Sequence, residues 1–265
     1  MGSCLSSQLQ KKRKIYTVDL RNHGDNHHDW RDEMSYTHMG HDVLAFMDEL
    51  NLSKAILIGH SMGGKVAKSC ALQYPERISG LVVLDIAPVT YTDSNPAWNA
   101  VQVIIDSLKD VQIEPGMTKR NIDQALRSTV EDPALRAFVL TNLEEDKDKD
   151  ILRWKVNIDS IASQLDVIAG FDYGDNEEST KYHGDTFFIN GGTSTFVKTA
   201  HMETISRHFP NYMVSYAYQF TLCFIVKTGL LTILSKLTTI RGSGHWVHAE
   251  APDDTFALLK KYLDR

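Results

Sequence analysis

A chain of 265 residues that is 42% hydrophobic, 23% charged and 9% aromatic has globular composition and enough length for a sizeable core. Disordered, collagen-like and low-complexity classes are excluded. A net charge of −6 argues against a broad nucleic-acid-binding face. The three cysteines, Cys4, Cys70 and Cys223, are dispersed and form no CxxC pair. A disulfide framework and a cysteine zinc site are therefore not expected, and a reducing, intracellular compartment is. No secretory leader pattern is present at the start.

Residues 1–14 carry four positive charges and no acids, and read as a flexible basic arm. Met1-Gly2-Ser3-Cys4-Leu5-Ser6 matches the myristoylation pattern at Gly2. Acylation of Gly2 and Cys4, with the Lys11–Lys14 cluster, would give peripheral membrane association. Ile15–Leu20 is a short β-type run and the expected first strand. Ser35 then caps a helix with apolar residues at Met39, Val43, Phe46, Met47 and Leu50.

Ala55–Ile58 reads as a buried strand, followed by Gly59-His60-Ser61-Met62-Gly63-Gly64 and a helix over Val66–Tyr74. Leu81–Ile86 is another continuous apolar strand. Strands without polar alternation, separated by amphipathic helices, predict a mostly parallel sheet covered on both faces. From 90 to 182 the pattern becomes helical, with helices near 97–109, 118–130, 132–143 and 158–168, and Glu144–Asp150 as a solvated helix end or loop. Strand–helix alternation returns with Thr186–Asn190, a helix near 200–208, Leu237–Ile240 and a last helix over Asp253–Leu263. The expected organisation is an α/β core over 15–89 and 183–265, interrupted by a helical cap over 90–182.

The strongest chemical signal is Gly59-His60-Ser61-Met62-Gly63, a G-x-S-x-G pattern between a strand and a helix. A sharp strand-to-helix turn exposes the serine hydroxyl. The backbone N–H of Met62, at the helix N-terminus, faces a developing oxyanion. Serine is a weak nucleophile and needs a base. His245, in Gly242-Ser243-Gly244-His245-Trp246 after the last strand, lies at the sheet edge where catalytic groups gather. His248 could form an H-x-x-H metal pair with it, but reads as a structural contact within the same turn. The acid is less determined. The loop Gly191-Gly192-Thr193-Ser194-Thr195, a common place for it, has no carboxylate, and Asp185 lies at the wrong end of its strand. Asp85, at the C-terminal end of Leu81–Ile86, is the first candidate, and Asp159 in the helical region is the alternative.

VDLRNHGDN, MSYTHMGHDV, GHSMGGKVA, LDIAPV, LTNLEED, RWKVNIDSI, INGGTSTFV and GSGHWVHAEAP occur in this order. On these motifs the chain resembles the α/β-hydrolase superfamily, and closely its ABHD11/YbfF-type esterase branch. The resemblance implies serine-dependent hydrolysis of carboxylic esters, including acyl-lipid types, with no metal or organic cofactor. It assigns Ser61 as nucleophile, His245 as base and Asp85 as acid, makes the helical insertion a cap over an acyl pocket, and implies a mitochondrial location. It leaves the oligomeric state open.

Two departures qualify the resemblance. The family's opening strands, with the loop that donates a second oxyanion N–H, are missing, roughly 40 residues by average element lengths. Loss of such a donor costs about 10²–10³ in rate, so a weakly active or inactive form with an exposed strand edge is expected. The second is Met213–Ser235, a mostly apolar 23-residue stretch in the core. It reads as a spurious or spliced insertion, ahead of an added packed element or a membrane span. Two other functions stay open. One is a binding or regulatory protein on a degenerate hydrolase fold. The other is a metallohydrolase using the loop His23-Gly24-Asp25-Asn26-His27-His28-Asp29.

Overall fold

The computed structural model describes residues 13–26, 29–146, 151–171, 173, 181–213 and 237–264. In chain order the elements are α1 (Tyr36–Glu49), β1 (Ala55–His60), α2 (Met62–Gln73), β2 (Ile78–Leu84), α3 (Pro96–Asp110), α4 (Lys119–Leu126) and α5 (Pro133–Val139). There follow β3 (Leu143–Asp146), β4 (Ile151–Trp154), α6 (Ile158–Ser163), α7 (Leu165–Ala169), β5 (Thr186–Gly191) and α8 (Met202–His208). The last are β6 (Tyr212–Met213), β7 (Leu237–Ile240), α9 (Val247–Glu250) and α10 (Pro252–Leu263). Among the described residues no helix is long and apolar enough to cross a membrane.

The chain divides into two compact units. One comprises the residues up to Thr17, Val43–Thr90 and Phe171 onward; the other comprises Val18–Asp42 and Tyr91–Gly170. The first unit holds a parallel sheet. β1 pairs with β2, β2 with β5, and the far side of β5 receives β6 and then β7. β2 and β5 are buried along nearly their whole length, which is why their sequences lack polar alternation. Val82, Leu84, Phe187 and Ile189 pack with Ile240, Val247, Leu259, Tyr262 and Leu263 as one core cluster. Among the described residues β1 pairs on one side only, and Ile58 on it is 37% exposed.

Ile15–Leu20 is not a strand. A β-type run needs a ladder neighbour, and here the local carbonyls are taken up by a turn instead. The Asn26 amide donates to Asp19 O at 2.6 Å, and His23 N donates to Leu20 O at 3.1 Å.

The second unit is mostly helical, and its helix starts carry side-chain caps. Asn95, Thr118, Asp132 and Asn157 accept from the first-turn N–H groups of α3, α4, α5 and α6. Ser35 Oγ likewise accepts from His38 N at the start of α1. Leu108, Ile122, Leu126, Val139, Leu143, Leu152 and Ile158 form its core. This unit also corrects the expectation of helices alone. Leu143–Asp146 and Ile151–Trp154 form an antiparallel hairpin in which Glu144 opposes Arg153. Their ion pair at 2.8 Å crosses the two strands, while Leu143 and Leu152 are buried. The helix expected over 158–168 is two short helices that part at Gln164.

Of the apolar stretch expected over 213–235, Met213 belongs to β6 and the rest lies outside the described residues, as do Gly2, Cys4, Lys11, His27, His28 and Cys223.

Candidate active site

The site is assembled from four strand ends of the first unit. β1 runs out at His60, and the chain turns at Ser61 into α2. Ser61 adopts φ 51° and ψ −120°, a conformation L residues avoid, at a cost of about 1–3 kcal/mol. Two close approaches make the turn possible. A Cβ on Gly59 would lie 2.2 Å from Gly63 O, and one on Gly64 would lie 2.7 Å from the Ile86 side chain. A Cβ on Gly63 would meet nothing within 4 Å, so the last glycine of G-x-S-x-G is not demanded by space here. No side chain caps the start of α2, which leaves the N-terminal end at Met62 without a competing side-chain acceptor.

β2 ends at Leu84, and Asp85 follows with φ 51°. Its carboxylate is fully buried, and three donors converge on it. Gly191 N lies 2.8 Å from Oδ1, Ser194 Oγ 2.5 Å from Oδ2, and His245 Nδ1 2.8 Å from Oδ2. A carboxylate only accepts, so His245 carries its proton on Nδ1. Nε2 is then the acceptor for the Ser61 hydroxyl at 2.9 Å. The three residues Ser61, His245 and Asp85 thus form one hydrogen-bonded chain. Asp159, the alternative acid, is solvent-exposed in the first turn of α6, in the helical unit.

The loop after β7 carries His245, whose ring is 11% exposed. Glu250 Oε2 accepts from Gly244 N at 2.5 Å, and Oε1 from Trp246 N at 3.1 Å. Thr193 donates twice to Ser243 O, through its N–H and its hydroxyl, each at 3.0 Å. The Phe196 ring packs on the imidazole with centroids 4.2 Å apart.

His60, Ser194, Phe196 and Glu250 were not expected at the site. Ser194 was readable in principle: the 191–195 loop lacks a carboxylate but supplies a hydroxyl and an N–H that hold one. His248 is a structural contact, as expected, with its ring 4.6 Å from that of His60. Burial pushes the His248 pKa down to about 4, and burial with the neighbouring histidine rings holds His60 well below its ordinary value.

In the loop offered as metal-binding, His23 Nδ1 lies 2.8 Å from Arg21 O, and Asp25 lies 3.1 Å from Lys155 Nζ. Among the described residues no cluster of three or more His, Cys, Asp or Glu is arranged to hold a metal ion.

The α/β-hydrolase fold family model matches residues 2–252 of the chain. The mouse protein named sn-1-specific diacylglycerol lipase ABHD11 is 32% identical over 255 residues, covering 95% of this chain and 72% of that protein. Esterase YbfF of Escherichia coli is 27% identical over 262 residues, covering 98% of this chain and 86% of its own. Among solved structures, a marine microorganism esterase superposes with a TM-score of 0.83 at 30% identity, covering 97% of this chain and 87% of that one.

Proposed function

We propose that this chain, which belongs to the α/β-hydrolase fold family, is a carboxylic ester hydrolase that works through an acyl-enzyme on Ser61. The esterase class is supported by relatives and a structural neighbour that carry esterase and lipase names. The observation that carries the mechanism is the hydrogen-bonded chain from Ser61 Oγ through His245 to the buried Asp85 carboxylate.

In this reading Ser61 Oγ attacks the ester carbonyl carbon as its proton passes to His245 Nε2. The imidazolium is stabilised by Asp85, which Gly191 N and Ser194 Oγ hold in place. The Met62 N–H, at the start of α2, donates in this reading to the developing oxyanion. The tetrahedral intermediate collapses, the C–O bond to the alcohol breaks, and His245 returns the proton to the departing alkoxide. Water then attacks the acyl carbon with His245 again as base, and releases the carboxylic acid and Ser61. The substrate class we assign is an acyl-lipid ester, on the name of the mouse relative.

Hydrolysis of a panel of p-nitrophenyl acyl esters, wild type beside Ser61→Ala, tests the reading. Loss of essentially all turnover in the variant is expected. Turnover that survives the substitution and disappears on dialysis against EDTA would assign the activity to a metal site instead.

A further inference from the structure

The structure assigns His60 as a positioning residue for His245, an inference that rests on the catalytic reading above. His60 Nε2 lies 2.8 Å from the backbone oxygen of His245, and a carbonyl only accepts, so Nε2–H is the donor. Its ring lies 4.6 Å from the His245 ring, and 4.6 Å from that of His248 on α9. One side chain of the serine turn therefore holds the main chain of the base and links the positions of Ser61 and His245 directly. Misplacement of a catalytic group by an ångström costs on the order of 10² in rate.

Glutamine can present an amide N–H close to the Nε2 position, whereas the shorter asparagine reaches only the Nδ1 position. We expect His60→Asn to lower kcat by about 10–10² with KM nearly unchanged, and His60→Gln to recover most of the loss, at equal thermal midpoints. Equal kcat in wild type and a folded His60→Asn, or a His60→Gln no better than His60→Asn, overturns the assignment. Ser61→Ala measured alongside separates the two failures: if it stays active, it is the catalytic reading that falls.

A second inference starts from strand register. β6 and β7 both run parallel to β5 on the same side. Thr186 and Phe187 pair with Tyr212 and Met213, and Phe188, Ile189, Asn190 and Gly191 pair with Leu237, Thr238, Thr239 and Ile240. Met213 and Leu237 thus sit on consecutive rungs of β5. The edges of this gap also carry a pattern in codon space. The segment opens with Val214, whose codons all begin with GT, and Ser215, which AGY can encode, and it closes on Lys236, which AAG can encode. Thirteen of its 23 residues are Phe, Leu, Ile, Val, Tyr or Cys, whose codons are rich in T. GT at the start and AG at the end are the boundaries of a spliced intron, and the residues at both ends are compatible with them in frame.

We infer that residues 214–236 are a translated intervening sequence, and that the processed message encodes one unbroken strand from Tyr212 to Ile240. Sequencing of complementary DNA across the codons for Met213 and Leu237, with expression of the chain lacking 214–236, tests this. A message without the segment is expected, and a deleted chain that melts higher than the full chain and hydrolyses esters at least as fast. A message pool that always carries the segment, or a deleted chain that fails to fold, overturns it.

Discussion

The proposed nucleophile and acid are held differently from the proposed base. Ser61 and Asp85 stand one residue beyond full strands, and the ladder continues through them. Ser61 N donates to Leu84 O at 3.1 Å, and Asp85 N to Ile189 O at 2.8 Å. Their positive φ values are sustained because hydrogen bonds to the neighbouring strand hold the backbone on entry to each turn. His245 is five residues beyond the short strand β7, and the contacts that hold its loop come largely from side chains: Glu250, Thr193 and His60. The lesson is that half of this site is fixed by backbone topology and half by replaceable side chains, so the two halves should respond differently to substitution.

The largest effects should come from the ladder-held half. Ser61→Ala should lower kcat by about 10³-fold or more. Asp85→Asn should cost about 10⁴ by allowing the wrong imidazole tautomer. Rates of ester hydrolysis at saturating substrate check both. On the other side, Glu250→Ala frees the two N–H groups that flank His245. We expect kcat to fall by about 10–10² while the fold, followed by circular dichroism, persists. An unaltered kcat would mean that the loop is rigid without it.

Ser194→Ala removes one of three donors to the buried Asp85 carboxylate. That hydrogen bond holds the carboxylate beside His245, so its loss should weaken the stabilisation of the imidazolium. A fall in kcat of about tenfold in ester hydrolysis is the expected outcome.

The smallest effect concerns His248. Its folded pKa of about 4 lies below the ordinary 6.5, because burial disfavours the charged ring. The folded state therefore binds its proton less readily than the unfolded chain. The associated stability is complete above pH 6.5 and is lost as pH falls towards 4. His248→Gln should flatten the decline of the thermal midpoint across that interval, and an unchanged decline would contradict the account.

Ser61 and His245 were the residues most legible in sequence. A continuous apolar strand running into G-x-S-x-G points to Ser61, and the loop between the last strand and the last helix points to His245, whereas the acid stayed open between Asp85 and Asp159. Ile15–Leu20 shows the limit of that signal, since β-propensity without a ladder partner yields no strand. The β3–β4 hairpin was obscured by its charged residues, whose Glu144–Arg153 pairing is a property of register rather than of composition. His60 and Ser194 left little trace, because a hydrogen bond between residues more than a hundred positions apart, such as Ser194 to Asp85, has no sequence period. The division between Asp85 and Asp159 needed geometry for the same reason.

The central claim is that Ser61 is activated by His245 and becomes acylated. Brief exposure of the purified chain to a fluorophosphonate, followed by intact-mass and peptide analysis, tests it most directly. The account predicts a single adduct on Ser61, absent from Ser61→Ala and formed much more slowly in Asp85→Asn. A folded wild-type chain that hydrolyses esters yet leaves Ser61 unlabelled would contradict it.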